Sequence, residues 1–254
     1  MGMHRTSSAS PNRLGAALVG LMIVATVAVL VVPRLVAAAP SPTNRIDMRV
    51  LVVDDGGPNV TAIAAELQRE GVPYTDVSLA STSRPAITPA FLSSGSEAFY
   101  QGVVLPNETG GSLSSTELSA LLAFESNFGI REIDAYTWAH PAVGLNYAQS
   151  PGYVGALDGM TATVTAAGQA AGWTYLNGPV PFTPGSYGYL ATPLATQATG
   201  ASFTTLVTMP IPSSTAVGSV VGDYKTTGRE QLVVTTSLSD GQGQFKLLAH
   251  GLIT

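Results

Sequence analysis

The stretch RVLVVDDGGPNVTAIAAELQREGVPYTDVSL (residues 49–79) decides the fold. It opens with the apolar run Arg49 to Val53, which is short enough to be a strand buried on both faces. Asn59 is expected to cap the helix that follows, because apolar residues then recur at helical spacing until Gly71. A second strand is predicted near Tyr74 to Leu79. Strand, helix and strand joined by such short links predict parallel pairing.

The alternation of strand and helix continues along the chain. A third strand is predicted from Phe99 to Leu105 and a fourth from Ile130 to Tyr136. Between them, Ser114 and Glu117 have the spacing of a capping box, and Gly129 is expected to end the helix. The first half of the chain therefore predicts an open α/β sheet.

The composition changes near residue 140. Asp158 is the only charged residue between Asp134 and Asp223, and the turn pairs Asp158-Gly159 and Asn177-Gly178 flank residues that alternate between polar and apolar. A core strand is then predicted from Gln231 to Ser237. A closing helix follows, with one apolar face made of Phe245, Leu248, Ala249 and Leu252. We expect an α/β fold with an open, mostly parallel sheet, Rossmann-like or amidotransferase-like, and a β-rich insertion at about residues 140–228. A separate second domain is the alternative.

Residues 1–39 have the pattern of an export signal. Basic residues precede Leu14 to Val32, an uncharged stretch of 19 residues, and small residues follow it at 36–39. The segment is predicted to be either a cleaved signal peptide or a retained anchor, which would be the only membrane contact. Residues 40–47 read as a short linker and residues 48–254 as the folded module. We expect an extracellular or cell-envelope location.

The charge balance and the missing motifs exclude several classes of function. Three of the 11 basic residues precede residue 40 and all 16 acidic residues follow it, so the rest of the chain carries 8 basic and 16 acidic side chains. Such a surface excludes nucleic acid as a partner. The chain has no cysteine and no nucleophile elbow, Walker loop or dinucleotide-binding glycine motif. We expect a non-catalytic protein without a cofactor.

Aromatic residues are concentrated in the charge-poor region. Half of the 18 aromatic side chains lie between Tyr136 and Tyr189. Tyr and Trp offer a flat apolar face with a polar group at one end, which suits the C–H faces and hydroxyl edges of sugar rings. Residues two apart on a strand share a face, which applies to Tyr136 with Trp138 and to Tyr187 with Tyr189. The predicted ligand-binding residues are Asp54, Asp55, Tyr136, Trp138, His140, Tyr147, Tyr187 and Tyr189.

Two alternatives remain open from the residues alone. VVDDGGP (residues 52–58) is similar to the TFDDGP strand end of NodB-type polysaccharide deacetylases, in which an Asp and two His of an HxxxH pair bind a metal. This chain has no HxxxH pair, so a metal-dependent hydrolase would use Asp54, Asp55 and His140. Acidic residues before a helix are also favoured by its dipole alone. The other alternative is a ligand-free envelope interaction protein whose aromatic residues are all core.

The order of the motifs resembles a known family. RVLVVDDGGPNVTAIAAELQREGVPY (49–74), YQGVVL (100–105), LSSTELSALLAFESNFGIREIDAYTW (113–138), ALDGMTATVTAAG (156–168), YLNGPVPFTPGSYGYLATPL (175–194) and GREQLVVTTS (228–237) follow one another. The set is similar to the N-terminal, non-catalytic region of large extracellular polysaccharide deacetylases, typified by the fungal galactosaminogalactan deacetylase. The resemblance implies a carbohydrate-binding module for polysaccharide. Three readings of the chain stay open: a free-standing module, the product of a truncated gene, or the partner of a separately encoded deacetylase. In that family an esterase domain follows, and none of its residues can be carried over to this chain.

Overall fold

The computed structural model describes residues 44–149 and 151–254. The strands are β1 (Arg45–Ile46), β2 (Val50–Asp54), β3 (Tyr74–Ser78), β4 (Ser93–Ser94), β5 (Glu97–Ala98), β6 (Gly102–Leu105), β7 (Arg131–Asp134), β8 (Tyr153–Ala156), β9 (Thr161–Val164), β10 (Pro179–Pro181), β11 (Tyr187–Leu190), β12 (Ser202–Pro210), β13 (Val217–Thr226) and β14 (Arg229–Val234). The helices are α1 (Pro58–Arg69), α2 (Pro89–Leu92), α3 (Ser115–Phe128), α4 (Ala166–Gly168) and α5 (Gly243–Ile253). None of these helices is long and apolar enough to cross a bilayer. The predicted export signal lies outside the described residues.

A nine-stranded sheet organises the fold, in the order β10-β9-β12-β13-β14-β7-β6-β2-β3. The strands from β14 to β3 pair in parallel, whereas those from β10 to β14 pair antiparallel. The fold is therefore of mixed α/β type, as expected. The expectation of a mostly parallel sheet is wrong, because half of the pairings are antiparallel. Four strands of the β-rich region, β9, β10, β12 and β13, extend the parallel sheet beyond β14, whereas β8 and β11 form a separate two-stranded sheet.

Helices cover both faces of the parallel strands. Val50 and Val52 of β2 belong to the apolar cluster that includes residues of α1 and α5. Leu51 and Val53 belong to a second cluster, which includes Leu121 of α3. Because successive side chains of a strand point to opposite faces, a strand buried on both sides needs the continuous apolar run seen in the sequence.

The ends of α3 agree with the sequence, whereas the start of α1 does not. Ser114 and Glu117 form the predicted capping box of α3, and Gly129 ends that helix with φ of 68°. The N-cap of α1 is Gly57 and not Asn59, because Pro58 occupies the first helical position. Asn59 instead buries its amide, which donates to the backbone of other elements.

Helix α5 packs against Trp173 through a glycine. The Trp173 indole is fully buried, and its Nε1 donates to the carbonyl of Leu248 over 2.9 Å. A methyl group at Gly251 would overlap this indole, whereas a methyl group at Gly241 would meet open space.

We expect Gly251→Ala to destabilise the chain by about 1–3 kcal/mol, because the gain in helix propensity is smaller than the cost of overpacking. Urea unfolding measures the change. Gly241→Ala is the matched control and should stay within about 0.5 kcal/mol of the wild type. Equal stability of the two variants would contradict the proposed packing.

Candidate functional site

The carboxyl ends of the parallel strands meet at one edge of the sheet. Asp54 ends β2, Pro106 follows β6, Ala135 follows β7 and Thr235 follows β14. The chain passes from β2 to β3 on one side and later to β6 on the other, so the order of the strands reverses between β2 and β6. Open α/β sheets commonly bind ligands at such a reversal.

A cleft of about 180 Å³ lies at this reversal. It is lined by Asp55, residues 57–60 at the start of α1, Pro106, Asn107 and Tyr136, so its one charged lining residue is Asp55. The Oδ1 atom of Asp55 accepts from the Gly57 amide over 2.8 Å. A carboxylate and an aromatic ring therefore share the wall of the same small cleft.

The two aspartates sit in a glycine turn between β2 and α1. Asp54 Oδ1 accepts from the amide of Gly56, which has φ of 79°, a conformation that favours glycine. Burial, followed by the charge of Asp54, raises the pKa of Asp76 on the neighbouring strand β3. This end of the sheet is therefore locally acidic.

Asn59 fixes the position of the cleft. Its side chain is 6% exposed, and its Nδ2 donates to the carbonyl of Ala135 over 3.1 Å and to that of Thr236 over 3.4 Å. The start of α1 is thereby tied to the ends of β7 and β14.

Four side chains predicted from the sequence meet beside the cleft, and we call them the aromatic cluster: Tyr136, Trp138, Tyr187 and Tyr189. The ring centroid of Tyr189 lies 5.1 Å from that of Tyr136, with the rings stacked. It lies 4.5 Å from Trp138 and 5.8 Å from Tyr187. Tyr187 is 41% exposed, and the other three side chains are partly buried. Tyr189 is thus the centre of a partly exposed aromatic surface.

Strand β11 brings two of these rings to the edge of the sheet. It pairs antiparallel with β8 and runs alongside the end of β14, where the Tyr189 amide donates to the Thr235 carbonyl over 2.9 Å. Gly188 lies between the two tyrosines and faces inward, where a Cβ atom would stand 2.7 Å from a methyl group of Leu157. Because side chains alternate along a strand, Tyr187 and Tyr189 both face the opposite way, toward the cluster.

The phenol of Tyr136 stays neutral. Burial, followed by the neighbouring Tyr189 hydroxyl, raises the pKa of Tyr136 above its ordinary value. A neutral phenol can donate or accept a hydrogen bond at any physiological pH.

Glu108 is a residue of this edge that the sequence reasoning missed. Its Oε1 lies 3.0 Å from His140 Nε2, and its Oε2 accepts from Thr137 Oγ1 over 3.1 Å. The Nδ1 atom of His140 accepts from the Ala142 amide over 3.3 Å, which leaves Nε2 as the ring nitrogen that donates to Glu108. The available signal was position, since Glu108 lies three residues beyond the end of a predicted strand.

The remaining predicted residues are not brought into the cluster. Tyr147 is 59% exposed, and none of the ring pairs within the described residues joins it to the four clustered rings. In residues 44–149 and 151–254, no group of three or more His, Asp or Glu side chains is placed to hold a metal. Asp54, Asp55 and His140, the residues of the hydrolase alternative, are not grouped in this way within the described residues.

Comparisons with known proteins show a likeness to a solved structure. No protein-family profile matches the chain, and no curated protein matches it significantly. The chain is similar to the crystal structure of Agd3, described as a novel carbohydrate deacetylase, with a TM-score of 0.58 and 18% identity over 77% of this chain. It spans about 30% of the length of that structure. At this identity the likeness shows a related fold, in agreement with what the sequence motifs implied for the fold.

Proposed function

We propose that the chain binds extracellular polysaccharide through the aromatic cluster and does not catalyse a reaction on it. The observation that carries the proposal is the meeting of four Tyr and Trp rings, partly exposed, beside a cleft with a carboxylate on its wall. Such rings stack on the apolar faces of sugars, while phenol, indole and carboxyl groups hydrogen-bond to hydroxyl groups. Tyr187 offers the most accessible ring of the cluster.

The charge of the site favours an amino-sugar polymer. Asp55 lines the cleft and Glu108 lies at the same edge of the sheet, while residues 135–222 contain no Lys or Arg. A locally acidic surface attracts the ammonium groups of a partly deacetylated amino sugar and repels uronic acids. We therefore expect cationic glycans to bind more tightly than neutral ones.

The likeness to a carbohydrate deacetylase supports this reading of the binding partner. Because that structure belongs to a carbohydrate deacetylase, we propose a deacetylase as the functional partner of the chain. The export pattern of residues 1–39 supports an extracellular or cell-envelope location.

The test is retention of the purified chain on chitosan, with chitin and cellulose beads as comparisons. Tyr187→Ala should weaken retention on chitosan by about tenfold, since one exposed stacking ring contributes about 1.4 kcal/mol. Tyr175→Ala is the matched control. Tyr175 is also exposed, at 47% against 41% for Tyr187, but it contacts His250 and the Leu247 carbonyl of α5.

Retention of the Tyr187→Ala variant on chitosan at the wild-type level would contradict the proposal that the aromatic cluster binds polysaccharide. Acetate release from partly acetylated chitosan, measured on the same preparations, addresses catalysis. Release by the wild type would replace the non-catalytic reading with an enzymatic one.

A further inference from the structure

A polar network of five side chains lies between α3 and the sheet, outside the candidate site. Its members are Glu125 of α3, Glu132 and Asp134 of β7, and Arg229 and Gln231 of β14. The three acidic residues are each at most 1% exposed, and Gln231 is 4% exposed. The Arg229 side chain is the most accessible member, at 21%. The network therefore combines three carboxyl groups with one cation in a nearly dry space.

The three carboxyl groups of the network accept different numbers of hydrogen bonds. Arg229 donates from Nε to Glu125 over 3.0 Å and from Nη2 to Glu132 over 3.1 Å. Gln231 Nε2 donates to Glu132 over 2.9 Å and to Asp134 over 3.3 Å. Glu132 thus accepts on both oxygens. Among the described residues, Glu125 Oε1 and Asp134 Oδ1 have no hydrogen-bond partner.

Apolar side chains surround these groups. Val103 and Leu105 of β6 are the residues in register with Glu132 and Asp134. Both belong to the apolar cluster that also contains Leu121 of α3. The solvent that would stabilise a charged carboxylate is therefore absent from most of the network's surroundings.

The neighbouring charged groups do not neutralise the negative charge of the network. Arg131 and Glu230 alternate with the network residues along β7 and β14, so they lie on the opposite face of the sheet, where they pair with each other. The further charged group that acts on Asp134 is another carboxyl, that of Glu108. Within the described part of the chain, Arg229 is the one cation facing the three acids.

One guanidinium cannot neutralise three carboxylates in such a space, so the two carboxyl groups that each keep one oxygen without a donor bind protons. We propose that the folded chain retains protons on Glu125 and Asp134 at neutral pH, and that the protein is consequently most stable in mild acid. The negative charge of the network resides on Glu132, which has two donors. On unfolding, the two protonated groups enter water and release their protons.

The titration properties of the two groups agree with this assignment. Burial, followed by the Glu132 carboxyl, raises the pKa of Glu125 to about 9. The same causes raise the pKa of Asp134 well above its ordinary value. A carboxyl pKa that is higher in the folded state gives stability that is complete below the unfolded pKa, near 4, and is lost as pH rises toward the folded pKa. Arg84 lowers the pKa of Glu117, but that group loses its stabilising effect only in stronger acid.

The experiment measures stability and proton release on the full chain. Urea unfolding at about pH 5.5, 7 and 8.5 should show the folded-to-unfolded ratio falling about tenfold per pH unit for each retained proton. In weakly buffered urea at about pH 7, the wild type should release roughly two protons more than the Glu125→Gln/Asp134→Asn double variant. The double variant should also lose the pH dependence.

Asp47→Asn is the control, because this carboxyl is 39% exposed on the side chain and lies outside the network. It should keep the wild-type pH dependence. The proposal is overturned by wild-type stability that stays constant or rises between about pH 5.5 and 8.5, or by a folded double variant that keeps the wild-type slope. If the double variant does not fold, Glu125→Gln alone and the proton release of the wild type decide the question.

Discussion

Replacing Arg229 with methionine is expected to destabilise the chain by about 3–5 kcal/mol, the usual cost of removing one partner from a buried ion pair. Arg229 contacts Glu125 and Glu132, whose side chains are each 1% exposed. Methionine has a similar length and brings no charge, so the carboxyl groups keep their burial and lose their cation. Urea unfolding followed by the fluorescence of the buried Trp173 measures the loss.

Arg131→Met is the matched control for this prediction. Arg131 also lies at the end of a strand and pairs with a glutamate, Glu230, but both side chains are about one-third exposed, at 32% and 30%. Its replacement should cost about 0–1 kcal/mol. Adding Glu132→Gln to Arg229→Met should recover part of the loss, because it removes the carboxylate left without a cation. Equal losses for the two arginines would show that burial of the Arg229 network does not determine its energy.

The sequence could not predict this network. Glu132 and Asp134 lie in the predicted strand Ile130 to Tyr136, and alternating polar residues in a strand ordinarily indicate a face exposed to solvent. Their partners Arg229 and Gln231 are about a hundred residues later in the chain, with separations of 97 and 99 positions. A pattern within one strand cannot show which face of the sheet α3 will cover. Burial of these acids is a property of the assembled sheet.

The local elements of the first half were predictable because their signals are local. The capping box of α3 and the apolar run of β2 each lie within a few residues, and both are observed. The continuation of the sheet was not predictable from such signals. Strand β13 has an almost continuously buried pattern, and it pairs with β12 on one side and β14 on the other. Tertiary pairing determines whether such a strand joins the sheet or forms a separate domain.

The candidate site was predictable in part from the sequence. Two-residue spacing correctly placed Tyr136 with Trp138, and Tyr187 with Tyr189, on shared faces. It did not predict that the second pair would be carried to the first by the docking of β11 on the end of β14. Position after a predicted strand was the one local signal for Glu108, and its contact with His140, which spans 32 positions, could not be predicted from the sequence. The role of the four clustered rings in ligand binding stays a prediction.

Replacing Tyr189 with alanine should weaken retention on chitosan by roughly 10- to 30-fold, which corresponds to about 1.4–2 kcal/mol. The other three rings of the aromatic cluster all pack against Tyr189, so its loss removes one ring and the support for the rest. Tyr189→Phe keeps the ring packing and removes only the hydroxyl group. It should therefore retain most of the binding if stacking carries the interaction.

The comparison of these two variants separates a binding surface from a packing cluster. If the rings serve only to pack β11 against the sheet, Tyr189→Ala lowers stability by about 1–3 kcal/mol and leaves retention unchanged while the chain is folded. If they bind sugar, retention falls under conditions in which circular dichroism shows the same folded fraction as the wild type. Loss of binding in Tyr189→Phe as well would assign the interaction to the hydroxyl group. Unchanged binding in Tyr189→Ala would instead favour a protein whose aromatic residues serve the fold.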